Sequence, residues 1–280
     1  MELELANVKY EEDGPLAIVT LNRPRYRNAQ SWGLLDDLDA AMDHAVAEKD
    51  VKVIIVRGAG DHFSSGHDLG TPEQEEERKS RGMEGPHQEH YESFRHYNYD
   101  ITHKWRNLKK PTIAMVHGYC IYGGWMIASA MDLIFAAEDA QFLAGLVEYF
   151  TVPWDVGARQ AKELLFESRF IDANEAKELG LVNRVYPRER LEEETLNYAR
   201  RVAEQSSYFL RMAKLAVNKT QDIQGFSNAV EAGFHDYMQV SRPRVTGRER
   251  SLAESEGRAI RRLGGVDLAV RGARKERPGL

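Results

Sequence analysis

The chain alternates short β-rich apolar runs with stretches of helical periodicity, and this alternation restricts it to an α/β architecture built on a largely parallel sheet. Leu16-Ala17-Ile18-Val19-Thr20-Leu21 is one such run, stopped by Asn22-Arg23-Pro24, where the proline biases Arg23 away from helix. Ser31 then stands as the cap of a helix whose apolar positions Leu34, Leu35, Leu38 and Met42 recur on one face. Residues 51–56 and 111–116 read as further strands, closed by Gly58-Ala59-Gly60 and by Gly118, and residues 133–137 return to strand character. Past residue 157 the pattern predicts helices over 158–166, 173–179, 192–205 and 208–221, with one more strand at 182–186. Asp172 caps the second of these helices and Gly180 ends it. No internal repeat is visible.

Composition narrows the function classes. A chain of 280 residues with 42% hydrophobic content can bury one sizeable core, or a core with a small helical extension. The net charge of −6 argues against a nucleic-acid partner. No apolar run approaches the roughly 20 residues that a spanning helix needs, so no membrane partner is expected. Met1-Glu2-Leu3-Glu4 lacks the basic and apolar regions of a secretion signal. Cys120 is the single cysteine, which excludes an intrachain disulfide or a cysteine zinc cluster and fits a reducing, cytoplasmic setting.

Two segments stand apart. Residues 71 to about 100 open with Glu73, Glu75, Glu76 and Glu77, followed by Lys79, Arg81, Gly82, Gly85 and Pro86. This reads as a solvated surface excursion or as a segment that covers substrate. The last forty residues carry eleven Arg or Lys against five Asp or Glu, the pattern of an exposed basic tail.

The informative features are two glycine turns that follow strands. The first spans residues 58–69, Gly-Ala-Gly-Asp-His-Phe-Ser-Ser-Gly-His-Asp-Leu. The second runs from His117-Gly118 to Gly123-Gly124-Trp125-Met126 and leads into a helix-compatible stretch. A strand, a glycine turn and a helix start leave main-chain N–H groups without internal acceptors. Neither turn carries a Gly-Lys-Ser/Thr or a Gly-x-Gly-x-x-Gly, which disfavours nucleotide hydrolysis and hydride transfer. Ser64 and Ser65 lack the Gly-x-Ser-x-Gly elbow of a nucleophile. His87 and His90 lie three apart, but no motif fixes a third ligand, so no metal site is expected.

Taken in order, five blocks resemble the crotonase (enoyl-CoA hydratase/isomerase) superfamily from about residue 8 to residue 220. They are Leu21-Asn22-Arg23-Pro24 with Arg27-Asn28-Ala29; the 58–69 turn; residues 111–118 with Gly123-Gly124; Asp132-Leu133-Ile134; and residues 174–183, Asn-Glu-Ala-Lys-Glu-Leu-Gly-Leu-Val-Asn. The resemblance implies an acyl-CoA thioester as substrate, coenzyme A entering only as part of that substrate, and no separate cofactor. It implies a spiral of repeated ββα units over residues 1–200 and a C-terminal helical region over 201–280 that packs homotrimers or hexamers. By the same resemblance the thioester oxygen is held between two main-chain N–H groups, here those of His67 and Gly123, with a helix dipole behind the second. Arg27, Ala29, Ser65, His67, Asp68, Leu69, Tyr122, Gly123, Trp125 and Met126 fall on the substrate-binding positions.

The chain also departs from that pattern. Members that hydrate a double bond usually carry two glutamates, because water loses a proton while the α-carbon gains one. Met126 stands at the first position and cannot transfer a proton. The second falls at Leu146 without a gap in the alignment, and is deleted with one. Glu148, among apolar neighbours, is the nearest substitute proton carrier; its alternative is an ion-paired or surface position. Asp155 and Tyr122 are weaker candidates. His67 replaces the family's usual alanine, so its imidazole either lines the pocket or serves as an acid or base. Three readings follow: an enoyl-CoA hydratase; a related isomerase, C–C hydrolase, thioesterase or decarboxylase; or a pseudo-enzyme that binds acyl-CoA without turning it over.

Overall fold

A computed structural model of the chain describes residues 5–81 and 87–240. The basic tail lies outside the described residues, as do the side chains of His87 and His90.

The main sheet has six strands. Strand β1 (Val8–Asp13) pairs antiparallel with β2 (Leu16–Leu21). From β2 onward every pairing is parallel, through β3 (Val53–Gly58), β4 (Thr112–Val116), β6 (Leu133–Ala137) and β9 (Arg184–Tyr186). A second sheet of three strands joins β5 (Tyr119–Ile121), β7 (Gln141–Leu143) and β8 (Ile171–Asp172). Strand β5 runs parallel to β7, and β8 runs antiparallel to it.

The helices connect these strands. In chain order they are α1 (Trp32–Ala47), α2 (Pro72–Ser80), α3 (His87–Phe94), a π-helical turn over Arg95–Asp100, α4 (Ile101–Arg106), α5 (Gly123–Ala130) and α6 (Val152–Asp155). Then come α7 (Ala158–Glu167), α8 (Ala173–Glu178), α9 (Leu191–Ala203), α10 (Ser207–Ile223) and α11 (Phe226–Val240). Ser31 caps α1 by accepting from the Leu34 amide, and Leu34, Leu35, Leu38 and Met42 are all buried, as their spacing requires.

Alternation along the parallel strands sorts the core into two layers. Val53 and Ile55 of β3 pack with Ile113, Met115 and Phe135 beneath Leu191, Ala199 and Ala203 of α9. Ile54 and Val56 face the other way, into the larger core with α1, α4 and α5. Burial on both faces explains why these strands are continuous apolar runs rather than alternating ones. Each fully buried aliphatic side chain contributes about 1.5–3 kcal/mol relative to exposure.

Two features go beyond the sequence reading. The first strand and the whole second sheet were not legible, because β1 is polar and half-exposed and the other strands are only two or three residues long. Within residues 71–100 the described residues form helix over Pro72–Ser80, His87–Phe94 and Arg95–Asp100, and α2 buries none of its residues, as a surface segment would. Thr71 caps α2 with its hydroxyl, Glu77 accepts from the Gly33 amide at the start of α1, and Arg81 reaches Asp36 and the Tyr97 hydroxyl. Polar anchors, invisible to a hydrophobic pattern, tie this segment down. Among the described residues no helix is long and apolar enough to cross a membrane.

The parallel strands β2, β3 and β4 end together at Leu21, Gly58 and Val116, so the loops that follow all leave the same end of the sheet. This is where ligands bind in open parallel sheets.

Candidate active site

The loop after β2 organises the loop after β3. Arg27 and Asn28 both adopt left-handed backbone, with φ of 53° and 54°. The Asn28 side chain accepts from the Arg23 amide and donates to the carbonyls of Ala59 and His62. Ser64 donates its hydroxyl to the Asn28 carbonyl, and the Ser65 amide donates to Arg27. Beneath them the buried Arg23 guanidinium lies 2.9 Å from Asp68 and also donates to the Ala29 carbonyl. Burial opposes the Asp68 charge, but hydrogen bonds from the Thr71 hydroxyl and amide, Arg23 and Gly70 outweigh it and hold the carboxyl below its usual range. Asp68 is thus committed to an internal strut. Ala29 is buried and Leu69, at 86% exposure, projects from the rim. Arg27 is exposed and has no ion-pair partner among the described residues.

Gly66 and Asp68 bracket His67 in a short parallel bridge with Gln30: Gln30 N–H donates to Gly66 and Asp68 N–H donates to Gln30. When both neighbours of a residue make the ladder bonds, its own N–H points to the opposite side. The second loop meets the first there. Ser64 and Ile121 are hydrogen-bonded through main chain, and Ser64 bridges Cys120. Gly66, at φ 89°, lies so close that a Cβ on it would stand 3.2 Å from the Gly123 nitrogen. Tyr122, at φ 47° and ψ −104°, is the strained residue that turns the chain from β5 into α5, and its ring covers Gly145. Gly123 is the first residue of α5, where an N–H has no acceptor within the helix. Among the described residues, neither the His67 nor the Gly123 main-chain N–H has a hydrogen-bond acceptor.

The His67 imidazole lies between Gly123 and Glu148. A Cβ on Gly123 would stand 2.8 Å from both His67 Cε1 and Nδ1, and 2.4 Å from Gln30 Oε1. On the other side His67 Nε2 is 3.4 Å from Glu148 Oε2. Glu148 is 1% exposed, and its Oε1 accepts from Asn98 Nδ2 at 3.3 Å. Glu148 Oε2 and His67 Nε2 face each other with no properly aligned hydrogen bond, and neither has another partner. Buried polar atoms left this way are rare, and a catalytic role is one of the explanations for them. Glu148 is thus buried rather than a surface residue, and it lies within ion-pair distance of His67.

Trp125 and Met126 are buried in the first turn of α5. The Trp125 indole donates to Asp155 Oδ2 at 2.7 Å, as does the Thr151 hydroxyl. Burial pushes the Asp155 carboxyl up to about 6, against those two hydrogen bonds. Asp155 is thus engaged by Trp125 and Thr151. Leu146 is 42% exposed. Asn98 and Gln30 were missed by sequence reasoning. The signal for Asn98 was a lone amide between Tyr97 and Tyr99; Gln30 carried none beyond its neighbour Ala29.

The sequence profile described as enoyl-CoA hydratase/isomerase matches residues 11–244. The chain belongs to this family. It is similar to EchA13 of Mycobacterium tuberculosis, provisionally named an enoyl-CoA hydratase, with 40% identity over 82% of this chain and 79% of that protein. Among solved structures, one from Mycobacterium smegmatis with the same provisional name superposes with a TM-score of 0.78 at 38% identity, over 84% of this chain and 94% of that one. An enoyl-CoA hydratase/isomerase from Xanthobacter autotrophicus Py2 superposes with a TM-score of 0.81 at 30% identity, over 99% of this chain and all of its own (100%). The chain is accordingly an α/β member of the crotonase superfamily, of the class that processes acyl-CoA.

Proposed function

We propose that this crotonase-family chain stabilises the enolate of an acyl-CoA thioester between the main-chain N–H groups of His67 and Gly123, with Glu148 as its proton carrier. The single observation that carries this reading is the junction of the two loops. Two N–H groups without internal acceptors meet there, beside a buried carboxyl oxygen that also lacks a partner. Negative charge developing on the thioester oxygen would meet fixed donors, with the N-terminus of α5 behind one of them. Each such donor contributes about 3 kcal/mol to the transition state. The His67–Glu148 pair then moves the proton: in hydration one is taken from the water whose oxygen bonds to the β-carbon and one is given to the α-carbon, and in isomerisation one is moved between the α- and γ-carbons.

Hydration of a 2-enoyl-CoA is the first reaction assigned to this site. A second reading, a double-bond isomerisation or another enolate reaction that needs one proton carrier, is favoured by Met126 and Leu146. They stand where the resemblance places two glutamates in hydrating members. No cofactor beyond the coenzyme A of the substrate is called for. Arg27, exposed at the entrance without an acidic partner, suits the phosphates of that group. The helical region from residue 201 is read as a subunit contact, forming a trimer or hexamer. Supporting this, α10 exposes Tyr208, Phe209, Met212, Leu215 and Ile223.

The test is to incubate the protein with 2-enoyl-CoA and 3-enoyl-CoA thioesters of several chain lengths and identify the products by mass. Addition of one water supports hydration, and an isobaric shift of the double bond supports isomerisation. Turnover of either no faster than that of a Gly123→Pro variant removes the proposal. Tight binding of these thioesters without any product would leave the pseudo-enzyme reading.

A further inference from the structure

The Glu148 carboxyl has two oxygens in different circumstances, and the difference originates in an irregularity of the helix that faces it. Between α3 and α4 the chain forms a π-helical turn over Arg95–Asp100. Its wider hydrogen-bond spacing is visible at its end, where the Ile101 amide donates to the carbonyl of His96, five residues back. The same spacing is bridged by side chains, Arg95 Nε donating to Asp100 Oδ1 at 2.9 Å. Arg95 also reaches Glu231 of α11 at 3.0 Å and lies 4.2 Å from the centroid of the Tyr99 ring. Such turns insert one extra residue into an α-helix and recur at functional sites. Each residue of an α-helix turns the chain by about 100°, so one extra residue resets which side chain faces inward.

Here the reset buries three consecutive residues, Tyr97, Asn98 and Tyr99. Tyr97 meets Arg81, and Tyr99 meets Tyr149 and Phe234. Asn98, 6% exposed, is the polar one, and its Nδ2 donates to Glu148 Oε1 at 3.3 Å. The opposite oxygen, Oε2, is the one left facing His67 Nε2.

We infer that Asn98 is the positioning residue of Glu148: the π-helical turn presents its amide to Oε1, which fixes the carboxyl so that Oε2 points at His67 and the reacting atoms. This rests on the proposed role of Glu148. Asn98 does not touch substrate in this scheme. It acts by holding one oxygen so that the other stays free. A buried carboxyl with both oxygens unheld would rotate about its last side-chain bond and lose the alignment on which proton transfer depends.

The test uses the full chain with Asn98→Leu, close in shape but without a donor, and Asn98→Ser, too short to reach Glu148 and small enough to be accommodated. Crystal structures of the variants are expected to show the Glu148 carboxyl turned away, with Oε2 outside ion-pair reach of His67. On whichever acyl-CoA the unmodified protein turns over, kcat is expected to fall on the order of 10-fold to 100-fold, with KM within about twofold. A purely structural role would instead lower melting temperature and leave the kcat of the folded fraction unchanged. Glu148 unmoved in either variant structure, or kcat retained, overturns the inference. If the unmodified protein turns over no acyl-CoA, the functional reading fails, while the variant structures still decide whether Asn98 sets the carboxyl.

Discussion

His67 Nε2 and Glu148 Oε2 stand 3.4 Å apart inside the protein, and each lacks any other hydrogen-bond partner. The contact joins a loop that follows β3 to the segment after β7, residues 81 apart in sequence. It places an imidazole and a carboxyl directly beside Gly123, whose amide opens α5. Two groups able to hold one proton between them therefore adjoin two unengaged N–H groups, and this proximity gives the site its chemical meaning.

Removing either member of the pair should have unequal effects. Glu148→Gln keeps the shape and abolishes proton transfer, so kcat is expected to fall about 100-fold or more with little change in KM. His67→Ala keeps the main-chain N–H that the proposal needs and removes only the imidazole, so its loss should be smaller. Steady-state kinetics of the two variants side by side check this. A His67→Ala variant more impaired than Glu148→Gln would move the proton chemistry onto the imidazole.

A side chain on Gly123 requires its neighbours to move. A methyl group there would meet Gln30 Oε1 at 2.4 Å and the His67 ring at 2.8 Å. Gly123→Ala should therefore displace the imidazole, lower stability by about 1–3 kcal/mol through overpacking, and cut kcat by about 100-fold if the amide moves with it. Chemical denaturation and turnover, measured on the same preparation, separate the two effects. Wild-type kcat in the variant would show that the amide is not used.

Asp155 makes stability depend on pH in a defined direction. Its carboxyl rises from 3.8 to about 6 in the folded chain because of burial. The folded state holds the proton more tightly than the unfolded one, so this group's contribution falls as pH rises from about 4 to about 6, then levels off. The full shift is worth roughly 3 kcal/mol. Asp155→Asn, which keeps an oxygen for Trp125 and Thr151, should flatten that part of the curve. Denaturant midpoints across pH 4 to 8 measure it, and an unchanged slope in the variant would refute the assignment.

Asp68 acts in the opposite sense. Its carboxyl is held below the ordinary range, so its contribution is present above the usual carboxylate pKa and is lost as pH falls through the lowered value. Asp68→Asn leaves the Arg23 guanidinium buried without its counter-charge, which typically costs about 3–5 kcal/mol. Thermal unfolding at neutral pH should show a marked drop in melting temperature. Because Asp68 and Thr71 fix the turn that follows His67, kcat should decline as well.

Much of the fold was written in local patterns. The apolar run of β2, the spacing of Leu34, Leu35, Leu38 and Met42, and the caps Ser31 and Asp172 each encode their element without help from distant residues. The glycines of the two turns were equally legible: Gly66 has the left-handed backbone that glycine favours, and Gly123 lies close against the Gln30 and His67 side chains. Sequence therefore determined the parallel strands of the main sheet, several of the helices and the two loops that meet, but neither β1 nor the second sheet. It could not determine what they meet. For Glu148 the sequence left open a proton carrier or an ion-paired or surface position; the structure buries the carboxyl, 3.4 Å from His67 and hydrogen-bonded by Asn98. Local pattern reports which backbone conformation a segment prefers, whereas the pairing of an imidazole, a carboxyl and an amide from three separate segments depends on how the layers close over one another. That closure is a property of the packed core, and only the tertiary structure contains it.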